Sequence, residues 1–385
     1  MITWLIKPGE LALKGENRKT FETILRRNLL AMLGSTAAKL ETNSGRWYLH
    51  SVEENSETIE RILGCLIGIS GWARAALCPK TKDAVMAACI QEARLASAQG
   101  AATFKIEARR TDKSFPLDSY ALRVEAGDAV LRAVPQLQVD VHKPDSVITV
   151  EIREKAYVYG NSHKGLGGLP VGSGGRGVLL LSGGIDSPVA GFRMACRGMG
   201  IDAVHFHSYP YTSAEARQKV IDLAAILSRY CLNIRLYILG FTEIQKRIKE
   251  RSPEKWSTVL LRMAMMEAAE KIAYKTNAKC LITGESLSQV ASQTIENLSC
   301  TESRIRLPVL RPLIGDNKES IIRLAEKINT YRTSILPYED CCVLFSPPHP
   351  VLRGDPAEAN TLYEILEINE LLENAIREAE IVKKL

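Results

Sequence analysis

Ser182-Gly183-Gly184-Ile185-Asp186-Ser187 is the stretch that decides how this chain is read. It follows an apolar run, Val178 to Leu181, that reads as a buried parallel strand. Pro188 comes next and suits the first turn of a helix, which Val189 to Gly198 can continue. The pattern is strand, glycine loop, helix. Two glycines let the backbone approach an anion without Cβ interference, and the loop amides and helix N-terminus then face the same negative charge. Ser182 and Ser187 can add hydroxyl donors. Asp186 repels a bare phosphate, so its presence implies a bridging cation or an orienting role. No Gly-Lys-Ser/Thr follows, so this is not the Walker form. A ligand-free glycine turn is the plainer reading of these six residues taken alone.

A chain of 385 residues allows two or three domains with real cores. Hydrophobic content of 46% and charged content of 24% are ordinary for a globular protein, so a soluble, cytoplasmic chain is expected. No apolar run reaches the ~18 residues of a membrane span, and Met1 to Gly9 lacks a signal-peptide layout. Nine cysteines, among them Cys65, Cys89, Cys196 and Cys280 in apolar surroundings, argue for reduced thiols, not a disulfide framework. The net charge of +6 permits an acidic partner, and the basic excess lies mildly in the N-terminal half.

The run Gly165 to Gly175 is too glycine-rich to hold a helix or strand and marks the main boundary. Beyond it the chain alternates: Ala203 to His207 (strand), Ser213 to Tyr230 (helix), Ile234 to Leu239 (strand), Glu254 to Thr276 (helix or helix pair) and Cys280 to Thr283 (strand). Such alternation implies an α/β, doubly wound parallel sheet with its ligand at the carboxyl ends of the strands. Before the boundary an α+β arrangement is expected. Phe104 to Arg109 and Val147 to Tyr159 each read as a strand, and Asp83 to Gln99 as an Ala-rich amphipathic helix. The tail, Ala357 to Leu385, reads as a capping helix.

The glycine loop resembles the pyrophosphate loop (PP-loop) of the ATP pyrophosphatases, which cleave ATP to AMP and pyrophosphate. Three further stretches narrow the resemblance. Gly9-Glu10-Leu11-Ala12-Leu13-Lys14-Gly15-Glu16-Asn17-Arg18 is similar to the N-terminal ferredoxin-like signature of the tRNA 4-thiouridine synthetases (tRNA sulfurtransferases). Phe104-Lys105-Ile106 with Ala108-Arg109-Arg110-Thr111-Asp112-Lys113-Ser114-Phe115-Pro116 resembles that family's THUMP domain, an RNA-binding module. Gly168-Leu169-Pro170-Val171-Gly172 is similar to its linker. Lys7-Pro8 stands where the family more often has Arg-Tyr. The resemblance covers nearly the whole chain in order. It implies a ferredoxin-like domain over 1–58, a THUMP domain over 59–164, a linker over 165–176 and an ATP pyrophosphatase domain over 177–385.

It also implies site residues. Leu180, Leu181, Ser182, Gly183, Gly184, Asp186, Ser187, His205, Phe206, Arg262, Gly284 and Gln293 are expected at ATP, with Mg²⁺ as the cation. From the residues alone, Arg262 is also a plain surface charge and His205 a plain core histidine, whereas Gly284 sits just past a strand's carboxyl end, where such sheets bind ligands. Lys105, Arg109, Arg110 and Lys113 are expected to neutralise tRNA phosphates, although the interleaved Glu107 and Asp112 also fit a solvated face.

A second chemical feature is Pro337-Tyr338-Glu339-Asp340-Cys341-Cys342-Val343-Leu344-Phe345-Ser346-Pro347-Pro348, a proline-bracketed loop. In the family the first cysteine of this segment carries sulfur, which maps to Cys341; Cys342 is the candidate resolving thiol. Glu339 and Asp340 would raise the pKa of Cys341, so a cation or helix end elsewhere must offset them. A metal site is not expected, because adjacent cysteines cannot both ligate one zinc comfortably. Some family members add a C-terminal rhodanese domain. None is expected in a chain ending at Leu385, so sulfur is expected from a cysteine desulfurase. The partners expected are tRNA and that desulfurase, with a homodimer as a further expectation.

The function these features imply is ATP-dependent conversion of a tRNA uridine to 4-thiouridine through an adenylated base and a cysteine persulfide. Two rivals belong to other classes. One is an amidotransferase-like adenylating enzyme on a small molecule, which needs no basic N-terminal half. The other is a non-catalytic tRNA-binding protein, which needs neither the intact loop nor Cys341.

Overall fold

The computed structural model describes residues 2–10, 17–43, 45–338, 347–383 and 385. The chain divides into two compact units, Met1–Gly168 and Leu169–Leu385.

The first unit runs β1 (Ile2–Pro8), α1 (Arg18–Leu33), β2 (Ala38–Asn43), β3 (Arg46–Ser51), α2 (Ser56–Cys65), β4 (Ile69–Cys78), α3 (Lys82–Ala98), β5 (Thr103–Arg110), α4 (Ser119–Ala133), β6 (Gln138–Val139), β7 (Ser146–Ile152), β8 (Ala156–Tyr159) and β9 (His163–Lys164). One sheet carries all nine strands, in the order β2-β3-β1-β4-β8-β7-β5-β6 with β9 alongside β4. The ten-residue β4 pairs with β1 on one side and with β8 on the other, so the sheet runs unbroken past residues 58–59. Alternation along β1 sends Trp4 and Ile6 into a core with Leu25, Leu29, Trp47 and Leu63, and Leu5 to the other face. Along α3 and α4, Val85, Cys89, Ala93 and Leu122, Ala126, Val130 recur every four residues and bury one stripe of each helix against β5, β7 and β8. Thr81 and Asp118 cap the two helices by accepting amide bonds in the first turn.

Val147 to Tyr159 is not one strand. It is the antiparallel hairpin β7–β8, with Ile152 opposite Ala156. Alternation continues through both arms, so periodicity alone could not place the turn at residues 153–155.

The second unit runs β10 (Arg176–Leu180), α5 (Asp186–Cys196), β11 (Gly200–His207), α6 (Ala214–Cys231), β12 (Leu236–Gly240), α7 (Thr242–Arg251), α8 (Ser257–Thr276), β13 (Leu281–Ile282), α9 (Ile295–Glu302), β14 (Val309–Leu310), α10 (Lys318–Lys327), α11 (Tyr331–Ser334), α12 (Pro356–Ile365), α13 (Asn369–Arg377) and β15 (Glu380–Val382). The sheet order is β14-β13-β10-β11-β12-β15, parallel except for β15. From β10 the chain winds outward through β11 and β12, then returns to the other side of β10 for β13. The crevice between β10 and β13 is therefore the topological switch point, where doubly wound sheets hold ligands. The tail corrects the expectation of a capping helix. It forms two helices and then β15, which closes the β12 edge antiparallel.

Candidate functional site

A cavity of 170 Å³ opens at the carboxyl ends of β10, β11 and β13. Leu180, Leu181, Ser182, Gly184, Asp186, Ser187, His205, Phe206, Arg262, Gly284 and Gln293 line it. Of the twelve residues expected at a nucleotide only Gly183 is missing from the lining. Met265, Met266, Thr283 and Glu285 complete the wall.

Local chemistry explains the loop. Ser182 N donates to Ser187 Oγ at 2.9 Å, Ser187 Oγ donates to Ser182 O at 3.2 Å, and Gly184 N reaches Ser182 Oγ at 3.4 Å. The two serines thus brace the loop from within. Ser187 is buried, so the donors left for a ligand come mainly from the backbone at the start of α5. Gly284 packs directly on that start. A Cβ there would lie 2.6 Å from Ser187 N and 2.8 Å from Asp186 C, both backbone atoms that cannot turn aside.

His205 is buried, and its Nδ1 lies 3.1 Å from Leu181 O. The carbonyl only accepts, so Nδ1 carries a proton. Asp186 takes Lys318 Nζ at 2.7 and 3.0 Å and Gln289 Nε2 at 3.0 Å. Lys318 and Gln289 escaped the sequence reading. They are polar side chains more than a hundred residues from the loop, and only the β13 and β14 crossovers bring them there. Deeper in the wall, Glu285 pairs with Arg262 and with Arg311. Burial pushes the Glu285 carboxyl up, but the Arg262 and Arg311 guanidiniums outweigh it and hold the group below the usual range.

Cys341 and Cys342 lie outside the described residues. The approach to them does not. Lys219, buried on α6, donates to Leu336 O at 2.8 Å and to Tyr338 O at 3.4 Å, and Ser334 Oγ donates to Gly184 O at 3.2 Å. Residues 334–338 are thereby tied both to the glycine loop and to a buried ammonium. Elsewhere burial holds thiols protonated: Cys89 and Cys196 are pushed up to about 12, Cys300 to about 11, and Cys280 upward.

In the first unit the four basic residues differ. Arg109 is exposed and Lys105 half-buried, both on the face of β5 that points away from Phe104 and Ile106. Both lie within 4 Å of Glu107. Lys113 is exposed in the loop that follows. Arg110 is committed to the fold: its Nη1 donates to Phe115 O at 2.9 Å and Leu117 O at 3.0 Å.

This geometry has close relatives. The chain matches the family described as Thiamine biosynthesis protein (ThiI) over 172–368, the THUMP domain over 80–160 and the ThiI ferredoxin-like domain over 3–73. It is 52% identical over 378 residues to a probable tRNA sulfurtransferase of Treponema pallidum (strain Nichols), covering 97% of this chain and 94% of the relative. The chain belongs to the tRNA sulfurtransferase family. Another member, the probable tRNA sulfurtransferase of Caldanaerobacter subterraneus subsp. tengcongensis, is 45% identical over 371 residues, 96% of this chain and 97% of the relative. A crystal structure of a 4-thiouridine synthetase–RNA complex with bound ATP superposes with a TM-score of 0.90 at 36% identity, covering 99% of each chain. The resemblance read from the motifs is borne out, and so is the α/β pyrophosphatase fold preceded by ferredoxin-like and THUMP modules. Among the described residues no helix is long and apolar enough to cross a membrane.

Proposed function

We propose that this tRNA sulfurtransferase family member converts a tRNA uridine to 4-thiouridine with ATP as the activating substrate. The observation that carries the proposal is the cavity at the switch point. It joins a glycine loop, a helix N-terminus and an arginine, which suit phosphates, to an apolar wall of Leu180, Phe206, Met265 and Met266, which suits a base. A small-molecule adenylating enzyme would need the same cavity but not a THUMP module, and a relative named probable tRNA sulfurtransferase aligns over 97% of the chain.

The chemistry proposed has two stages. Uridine O4 attacks the α-phosphorus of ATP while the N3 proton leaves to solvent or a base, and pyrophosphate departs. The oxygen, now part of an adenylate, is a good leaving group. The terminal sulfur of a Cys341 persulfide then attacks C4 and AMP departs, leaving the base joined to the protein through a disulfide. A thiolate, with Cys342 as the candidate, attacks the Cys341 sulfur. That releases 4-thiouridine and leaves a disulfide that an external dithiol reduces. Backbone donors at the start of α5 stabilise the charge that grows on the leaving pyrophosphate. Asp186, in the cavity lining beside the loop, would be the carboxylate that holds Mg²⁺. Mg²⁺ needs only one or two carboxylates when phosphates supply the rest, and it would add charge neutralisation there. Asp186 already faces the ammonium of Lys318, which would take up one of the phosphate charges when the cation binds.

Arg109, Lys105 and Lys113 are proposed to meet tRNA phosphates, with Arg110 holding the loop beside them. A cysteine desulfurase is proposed as sulfur donor. A homodimer in the cytoplasm is proposed as the working form. The test is nucleoside mass spectrometry of tRNA from cells with and without the protein. Loss of 4-thiouridine on deletion, restored by the wild-type chain, is expected; an unchanged nucleoside profile would overturn the proposal.

A further inference from the structure

Arg262 is held by one carboxylate. Its Nη2 donates to Glu285 Oε1, and its Nε is buried with no partner among the described residues. Glu285 is far more committed. Its side chain is 4% exposed, and Oε2 accepts from Arg311 Nε at 2.7 Å and from Thr283 Oγ1 at 2.8 Å. Arg311 is anchored in turn by Glu302. The carboxylate therefore sits between two guanidiniums, one facing the cavity and one behind it. Its backbone is fixed as well, because the preceding residue, Gly284, packs on Ser187 N and Asp186 C at the glycine loop. One residue thus sets where Arg262 stands relative to the phosphate-binding loop.

We propose that Glu285 is a positioning residue for Arg262, aiming its remaining N–H donors at the anionic part of the nucleotide. The inference rests on the reading that the cavity holds ATP. A guanidinium has five N–H donors in a rigid fork, and Glu285 takes one of them, at Nη2. Arg262 lines the cavity and is already held at Nη2, so ATP binding need not order a long side chain. Arg311 keeps Glu285 from turning toward the ligand and offsets the cost of burying its charge.

The test is a double-mutant cycle on ATP binding to the full-length protein, measured by calorimetry for wild type, Arg262→Gln, Glu285→Gln and the double variant. Each single change is expected to weaken ATP binding roughly ten- to hundredfold, the range for losing a charged hydrogen bond to a ligand. In the Arg262→Gln background, Glu285→Gln is expected to cost less than about twofold more, because Glu285 acts through Arg262. Should Glu285→Gln fail to fold, Glu285→Asp keeps the charge but withdraws it by one methylene, and the same cycle applies. Fold-losses that multiply independently, or an ATP affinity untouched by either Glu285 change, would overturn the inference while leaving the ATP reading standing. A wild-type protein that does not bind ATP would overturn both.

Discussion

Adding one methyl group at Gly284 probes the site at its tightest contact. The new Cβ would meet Ser187 N at 2.6 Å, which falls about 0.8 Å short of ordinary van der Waals separation. The obstructing atoms are backbone at the first turn of α5, so either that turn or the segment after β13 must retreat. Overpacking of this kind costs roughly 1–3 kcal/mol. At roughly 2–4 °C per kcal/mol for a unit this size, the thermal midpoint falls by several degrees. Function suffers more. A displacement near 1 Å between phosphate-binding loop and reacting group costs on the order of a hundredfold in rate. Pyrophosphate release from ATP in the presence of tRNA is the assay, run well below the midpoint of the variant. Gly240→Ala is the control, since a Cβ there meets nothing within 4 Å. Gly284→Ala is expected to fold and lose about a hundredfold in turnover, with Gly240→Ala close to wild type. Gly284→Ala turning over within threefold of wild type would show that the β13 segment does not set the geometry of the loop.

Three further outcomes are expected. Asp186→Asn removes the carboxylate that holds Lys318 and should stop pyrophosphate release while tRNA affinity stays within twofold; undiminished release would remove Asp186 from the mechanism. In the unit spanning 1–168, Arg109→Ala should flatten the salt dependence of tRNA binding by ~0.7–0.9 log unit per decade of salt, whereas Arg110→Ala should cost about 2 kcal/mol of stability through its two carbonyl bonds. The reverse pattern would exchange the two roles. Cys341→Ser should abolish 4-thiouridine while pyrophosphate release continues, and Cys342→Ser should be rescued in part by added dithiol; 4-thiouridine formed by Cys341→Ser would assign the sulfur to another thiol.

Much of the site was legible in one dimension, because the glycine loop and the residues just past each strand lie where a doubly wound sheet must bind ligands. Gly284 illustrates this: a glycine at the carboxyl end of β13 had a geometric reason before the packing on Ser187 was known. Glu285, Gln289 and Lys318 were not legible. Their roles come from crossovers that bring distant polar side chains together, and no local period encodes such a meeting. Arg110 was grouped with its neighbours because composition cannot tell an arginine that neutralises phosphates from one that pins a loop. The hairpin within residues 147–159 was hidden by its own regular alternation. The closing strand β15 was hidden because three residues at a chain end carry too short a pattern to register.

Oxygen-18 tracing tests activation of the uridine oxygen by adenylation. tRNA transcribed with uridine labelled at O4 is converted by the protein with ATP, a desulfurase and cysteine, and the released AMP is weighed by mass spectrometry. One labelled oxygen in AMP is expected for each 4-thiouridine formed. Unlabelled AMP alongside normal 4-thiouridine would contradict it, because sulfur would then have entered without the uridine oxygen ever joining phosphorus.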